Sequence, residues 1–249
     1  MMNCADFFTL SHIPETDSTN NYLIHWSDQE DIDEFTVVQA DFQTAGKGQR
    51  GNSWESEKGK NLLFSFVLYP TFLEARKQFI LSQLISLAVK ETLEQWTDYV
   101  SIKWPNDIYW KDKKIGGMLI ENDLNGMHIG RTIAGIGLNI NQSTFRSNAP
   151  NPVSLKQITG NEHDCEQILA HIMQRIKTYY QAVQKGEQDT IVRNYLHALF
   201  RREGMHRYAD TEGEFTARIA GVEADGHLLL EDSNRHIRRY VFKEVYYIL

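Results

Sequence analysis

Cysteine is nearly absent. Cys4 and Cys165 are the only two among 249 residues, so neither a disulfide framework nor a cysteine-rich zinc site can be assembled, and a reduced compartment is expected. Positive charge is in deficit as well. Twenty-six Lys and Arg stand against 33 Asp and Glu, a net charge of -7, which argues against generic binding to a phosphate backbone. No apolar run approaches membrane-spanning length. The opening "MMNCADFFTL" has neither the basic segment nor the long apolar stretch of a signal peptide. A cytoplasmic protein with no membrane or nucleic-acid partner is the expectation. Internal repeats and low-complexity segments are lacking, and too few residues precede Phe7 for a helix-turn-helix.

What is present is ordinary globular material, 41% hydrophobic and 24% charged, enough for one large core with a small appendage. "FFTLSHI" and "FTVVQADF" read as strands, and "ETDSTNNYLIHW" between them starts a helix that Ser18 or Thr19 can cap through a side-chain oxygen. In "NLLFSFVLYP" the residues Leu62, Phe64, Phe66 and Leu68 share one face of a strand. Helical spacing runs from about Glu74 to Asp98. Strands "VSIKW", "DIYW" and "KIGGMLIEN" follow, with "KDKK" (Lys111 to Lys114) turning between the last two. After the long strand "HIGRTIAGIGLNI" come helices over Glu166–Lys185 and Asp189–Arg201. Past Arg202 the texture is short strands and turn signals, "ADG" and "DSN", with no helix. The spacing therefore predicts an α/β body over residues 1–202 and a small β unit over 203–249.

Three segments gather polar groups at strand ends. "TAGKGQRGNSW" (Thr44 to Trp54) combines three glycines with Lys47 and Arg50, a composition that lets backbone N–H groups and cations approach an anion. It matches neither the nucleotide-triphosphatase loop nor the dinucleotide fingerprint, and a flexible hairpin accounts for it equally well. In "KWPNDIYW" a turn explains Pro105, Asn106 and Asp107, but not Trp104 beside the strand-end Lys103. In "KKIGGMLIE" the spacing alone reads Lys114 as an exposed hairpin lysine, while Gly116 and Gly117 allow another backbone or a ligand to come close. Packing between adjacent strands accounts for Gly135 and Gly137 in "AGIGLNIN".

Taken in order, the segments "DSTN" (Asp17 to Asn20), "QTAGKGQRGNSW" (Gln43 to Trp54), "KWPND" (Lys103 to Asp107), "KKIGGMLIE" (Lys113 to Glu121), "GIGLNIN" (Gly135 to Asn141) and "PVSL" (Pro152 to Leu155) are specific. The chain resembles the biotin protein ligases over almost its whole length, in the form without a DNA-binding domain in front. The resemblance implies an α+β fold: a mixed-sheet catalytic domain of the class II synthetase and biotin/lipoate ligase kind, with a small C-terminal SH3-like β-barrel. It implies a two-step reaction, in which biotin and ATP, with Mg²⁺, give biotinyl-5′-AMP, and a lysine of a biotin carboxyl carrier domain then takes the biotinyl group. Homodimerisation is compatible with it.

By the same resemblance, Ser18, Thr19, Asn20 and Gln43 would bind the biotin head. Lys47, Gly48, Gln49 and Gly117 would lie along the rest of biotin, and Lys114 would bridge its carboxylate and the α-phosphate. Lys114, Lys47 and Arg50 are the cations expected to neutralise the reacting groups. Arg50, Trp54, Lys103, Asn106, Asp107, Lys114 and Asn139 form the expected ATP set, with Trp54 stacked on adenine; no metal ligand is assigned, though Asp107 is a candidate. The loop departs from the family's usual G-R-G-R-x-G at Lys47 and Gln49, which loses the guanidinium fork. The alternatives are a lipoate ligase and a non-catalytic biotin-binding regulator. An octanoyl transferase would need a catalytic cysteine, and Cys4 and Cys165 lie in no matching motif.

Overall fold

The computed structural model describes residues 7–146 and 151–248; Cys4 lies outside them, as does the side chain of Arg50. In chain order the elements are β1 (Thr9–Ile13), α1 (Thr19–Gln29), β2 (Thr36–Ala40), β3 (Leu62–Leu68), α2 (Phe79–Leu93), β4 (Val100–Lys103), β5 (Asp107–Trp110), β6 (Lys113–Asn125) and β7 (His128–Leu138). They continue with α3 (Leu155–Thr159), α4 (Cys165–Gln184), α5 (Asp189–His197), β8 (His206–Asp210), β9 (Gly213–Val222), β10 (Leu228–Asp232), β11 (Ile237–Tyr240) and β12 (Tyr246–Tyr247).

Seven strands form a sheet in the order β1-β2-β3-β7-β6-β5-β4. Only β1 and β2 run parallel; the other pairs are antiparallel, so the sheet is mixed, as expected. The alternation along β3 decides what covers each face. Leu62, Phe64, Phe66 and Leu68 join the main core with α2 and α4, whereas Val67 packs with Leu23 of α1, Val38 and Ile133 in a second, smaller cluster. The sheet is thus a middle layer with α1 on one side and α2 and α4 on the other. At the far edge, β4 does not end bare: Ile102 N–H donates to Ala198 O and Phe200 N–H to Ile102 O, both at 2.8 Å, which covers an otherwise unpaired edge.

The C-terminal strands make a separate antiparallel sheet, β11-β10-β9-β8-β12. Its inner residues Tyr208, Ile219, Leu228 and Leu230 belong to the main core cluster, so the small unit shares apolar contacts with the larger one. Trp104, 5% exposed, fastens the two by donating from Nε1 to Gly226 O at 2.9 Å. That is the explanation the turn residues of "KWPND" lacked.

Three local expectations change. The helix read over Glu74–Asp98 is α2 alone, preceded by a single 3₁₀ turn at Ala75–Lys77. The turn between β5 and β6 takes only Lys111 and Asp112, so Lys113 and Lys114 are strand residues. Ser18 does stand at the N-cap of α1 but offers no side-chain cap; the first-turn donor Thr19 N–H goes instead to Gln43 Oε1 at 2.7 Å.

Candidate active site

A cleft opens on the α1 face of the sheet. Register explains why there is room. Ser65 pairs with Gly135 and Leu63 with Gly137 across β3 and β7, while Leu119 pairs with Gly135 and Gly117 with Gly137 across β6 and β7. Directly paired residues share a face, so Gly117, Gly135 and Gly137 lie together on the cleft side and remove side chains from its floor. Two of these places are already taken by other residues. A Cβ on Gly135 would stand 2.0 Å from Asn20 Oδ1, and one on Gly137 would stand 2.6 Å from Cε2 of Trp54.

Lys114 reaches the cleft through a bulge. Ile108 pairs with Gly116 but Tyr109 pairs with Lys114, so Ile115 is an extra residue in β6. By strict alternation Lys114 would share the face of Gly116; the extra residue turns it to the side of Gly117 and Asp107. There its Nζ meets Asp107 Oδ1 at 2.6 Å, both side chains about one-quarter exposed, and stands 5.7 Å from the Trp54 ring centroid. Residues 151–153 brace the position, with Lys114 N–H donating to Asn151 O and Val153 N–H to Lys114 O, each at 2.9 Å.

The glycine loop folds back on itself. Gly48 N–H donates to Asn52 O at 2.7 Å and Trp54 N–H to Gly46 O at 2.8 Å, around a 3₁₀ turn at Gln49–Gly51. Gly51 has φ +85°, which favours glycine. Lys47 extends to Asn21 Oδ1 at 2.6 Å. At the head end, Gln43 Oε1 accepts from both the N–H and the hydroxyl of Thr19.

These parts meet around one cleft: Ser18, Thr19, Asn20, Gln43, Lys47, Gly48, Gln49, Trp54, Asn106, Asp107, Lys114 and Gly117 all line it. Lys103 and Asn139 do not. Lys103 Nζ donates to Tyr109 OH at 3.0 Å and lies over the Tyr109 and Tyr247 rings, where burial pushes its pKa down and the Asp107 charge opposes that shift. Asn139 is buried and ties the chain beyond β7 together, its Nδ2 donating to Val153 O at 3.3 Å. Sequence reasoning missed Phe242, which enters the cleft from the C-terminal sheet, and Ser65 and Glu121, which support Asn20 from behind.

A polar head, a basic middle and a partly buried aromatic at the far end suit a molecule with a polar ring, a carboxylate and a base. The sequence profile of the Biotin/lipoate A/B protein ligase family matches residues 13–139. The chain belongs to that family. Among the family's curated members it is 31% identical over 213 residues to the bifunctional ligase/repressor BirA of Bacillus subtilis, an alignment covering 83% of this chain and 64% of that protein. It is 28% identical over 231 residues to biotin–protein ligase 2 of Arabidopsis thaliana, covering 87% and 67%. The chain thus spans about two thirds, or slightly less, of these relatives' length. Among solved structures, the biotin protein ligase from Aquifex aeolicus in complex with biotin and ATP superposes with a TM-score of 0.79 at 28% identity, covering 96% of this chain and 98% of that one. As a ligase-family fold, the molecule also has, among the described residues, no helix long and apolar enough to cross a membrane.

Proposed function

We propose that this chain joins biotin to ATP as biotinyl-5′-AMP and passes the biotinyl group to a lysine of a biotin carboxyl carrier domain. The observation that carries this reading is the Lys114–Asp107 pair, set between the polar head pocket and Trp54. In the first step the biotin carboxylate attacks the α-phosphorus and pyrophosphate leaves. The two reactants are both anionic, so a cation fixed between them lowers the cost of bringing them into line. Lys114 supplies it, and Asp107 holds that ammonium in place. Lys47, from the loop, adds a second positive charge. In the second step the carrier amine attacks the acyl carbon, the acyl–phosphate bond breaks and AMP departs. Asp107 is then the carboxylate beside the reacting bond to take the amine's proton.

Asp107 is the only carboxylate lining the cleft among the described residues. That donor set suits Mg²⁺ carried in by the phosphates, with one protein carboxylate at most, rather than a protein cage; the ion would shield the triphosphate charge. Residues 1–202 would form the catalytic domain and 203–249 the appended unit, which contributes Phe242 to the cleft. A lipoyl head carries no N–H groups, and the head pocket of Thr19, Asn20 and Gln43 would leave its acceptors unmatched against it.

The test is pyrophosphate–ATP exchange with biotin or lipoate as the acid, followed by transfer of labelled acid to a carrier domain. Exchange with biotin and labelling of one carrier lysine are expected. Exchange with lipoate alone, or biotin binding without exchange, would overturn the reading.

A further inference from the structure

Behind the head pocket lies a hydrogen-bonded chain that the reaction chemistry does not use. Asn20 Oδ1, Ser65 Oγ, Thr19 Oγ1 and Gln43 Oε1 follow one another at 2.6, 2.7 and 3.1 Å. Both ends are amide oxygens, which only accept. Gln43 Oε1 also accepts from Thr19 N–H at 2.7 Å, so the two hydroxyl protons suffice for the chain, and both of its ends remain acceptors. Asn20, Ser65 and Thr19 are all buried.

The state of this chain depends on which end of the Asn20 amide faces it. On the opposite side, Asn20 Nδ2 donates to Glu121 Oε2 at 2.7 Å and to Leu119 O at 3.3 Å. The carboxylate is the shorter contact and a charged acceptor, the stronger kind. Glu121 sits on β6 opposite Ile133, beyond the residues that line the cleft. It touches the ligand space only through Asn20.

We propose that Glu121 is a positioning residue: it locks the Asn20 amide with Oδ1 toward Ser65 and Gly135, so that Asn20, like Gln43, lines the head pocket as an acceptor and the pocket selects an acyl ligand whose head brings an N–H. This rests on the biotin reading, since the ureido ring supplies such N–H groups. Without Glu121 the remaining hold on Nδ2 is the long contact to Leu119. The amide is then free to rotate and present its NH₂ where the ligand also brings a donor. Glu121 thereby acts on the head of the ligand and leaves the nucleotide end alone.

The experiment measures binding of biotin, dethiobiotin, lipoate and a non-hydrolysable ATP analogue by calorimetry, with the melting temperature recorded for each variant. Glu121→Leu should weaken biotin and dethiobiotin alike by about tenfold or more, the size expected for losing one charge-assisted orientation, with ATP-analogue binding unchanged. Glu121→Gln keeps an acceptor for Asn20 Nδ2 and should hold biotin within about threefold of the wild type. Wild-type protein that does not bind biotin would sink the biotin reading itself. Wild-type binding together with a folded Glu121→Leu that holds biotin within twofold would sink this inference alone. Should Glu121→Leu fail to fold, a polarity swap decides. Asn20→Asp places two carboxylates together and should lose biotin, and adding Glu121→Gln should restore at least tenfold; no restoration overturns the proposal.

Discussion

Adding one methyl group at Gly137 should separate the nucleotide end of the cleft from the biotin end. Its Cβ would lie 2.6 Å from Cε2, 2.8 Å from Nε1 and 3.0 Å from Cζ2 of Trp54. Ordinary carbon contacts begin near 3.5 Å, so the ring must retreat by roughly 1 Å. The Trp54 backbone cannot follow easily, because its N–H is bonded to Gly46 O and a Cβ on Gly46 would already be 2.7 Å from Trp54 O. The side chain is only partly buried, so it can swing outward. Overpacking of this kind costs about 1–3 kcal/mol. A ring that swings out relieves the strain in the free protein, and the cost returns when a base must stack on it. Gly137→Ala should therefore raise the KM for ATP by about tenfold, since about 1.4 kcal/mol is a factor of ten, while biotin affinity stays within about threefold. Gly221→Ala is the control: nothing lies within 4 Å of its Cβ and its φ is ordinary. The assay is pyrophosphate exchange across an ATP series, with biotin binding and thermal unfolding measured on the same samples. A lower melting temperature with an unchanged KM for ATP would refute the reasoning, because the ring would then be held at its seat in both states.

Other outcomes follow from single contacts. Lys114→Ala should keep its fold and lose on the order of 10²–10³ in biotin-dependent pyrophosphate exchange; exchange near the wild-type rate would remove Lys114 from the chemistry. Gln49→Arg should slow release of preformed biotinyl-adenylate about tenfold, by exchanging a neutral amide for a charged fork, which a chase with excess biotin reads directly. Trp104→Phe strands Gly226 O and loses buried ring volume, so urea unfolding should show a loss of about 1–3 kcal/mol, and an unchanged midpoint would show that the two sheets are not fastened there. Burial, with Asp164 and Glu166 adding to it, pushes the Cys165 thiol up to about 11. Only about 0.1% is then thiolate at pH 8, so iodoacetamide should label Cys165 in unfolded protein far faster than in folded protein, as peptide mass spectrometry would show.

Much of the cleft was legible because its residues come in short motifs at strand ends, and strand ends on one side of a sheet are neighbours in space. The strands themselves were readable where alternation is strong, as in β3. Periodicity fails for α3, whose five residues complete little more than one turn. It fails also at Lys103, where alternation puts the residue on the same side as Asp107 but cannot say that two tyrosines beside it will take the ammonium.

The deeper limit is that a period of two carries no mark of an inserted residue. "KKIGG" reads the same with or without a bulge, yet the extra Ile115 decides whether Lys114 faces the core or the cleft. Its bulge is set by contacts from elsewhere, the backbone pairing of Lys114 with residues 151–153, about forty positions down the chain. The cap of α1 has the same character. Ser18 occupies the position that local rules favour, but its side chain makes no cap, and the donor is met by Gln43, which a later strand delivers. Spending an N-cap on a distant glutamine leaves the Ser18 side chain uncommitted at the cleft wall and ties the helix to the loop that starts at Thr44. Local signals break down at these two places because the residues there answer to the ligand site before they answer to their own helix or strand.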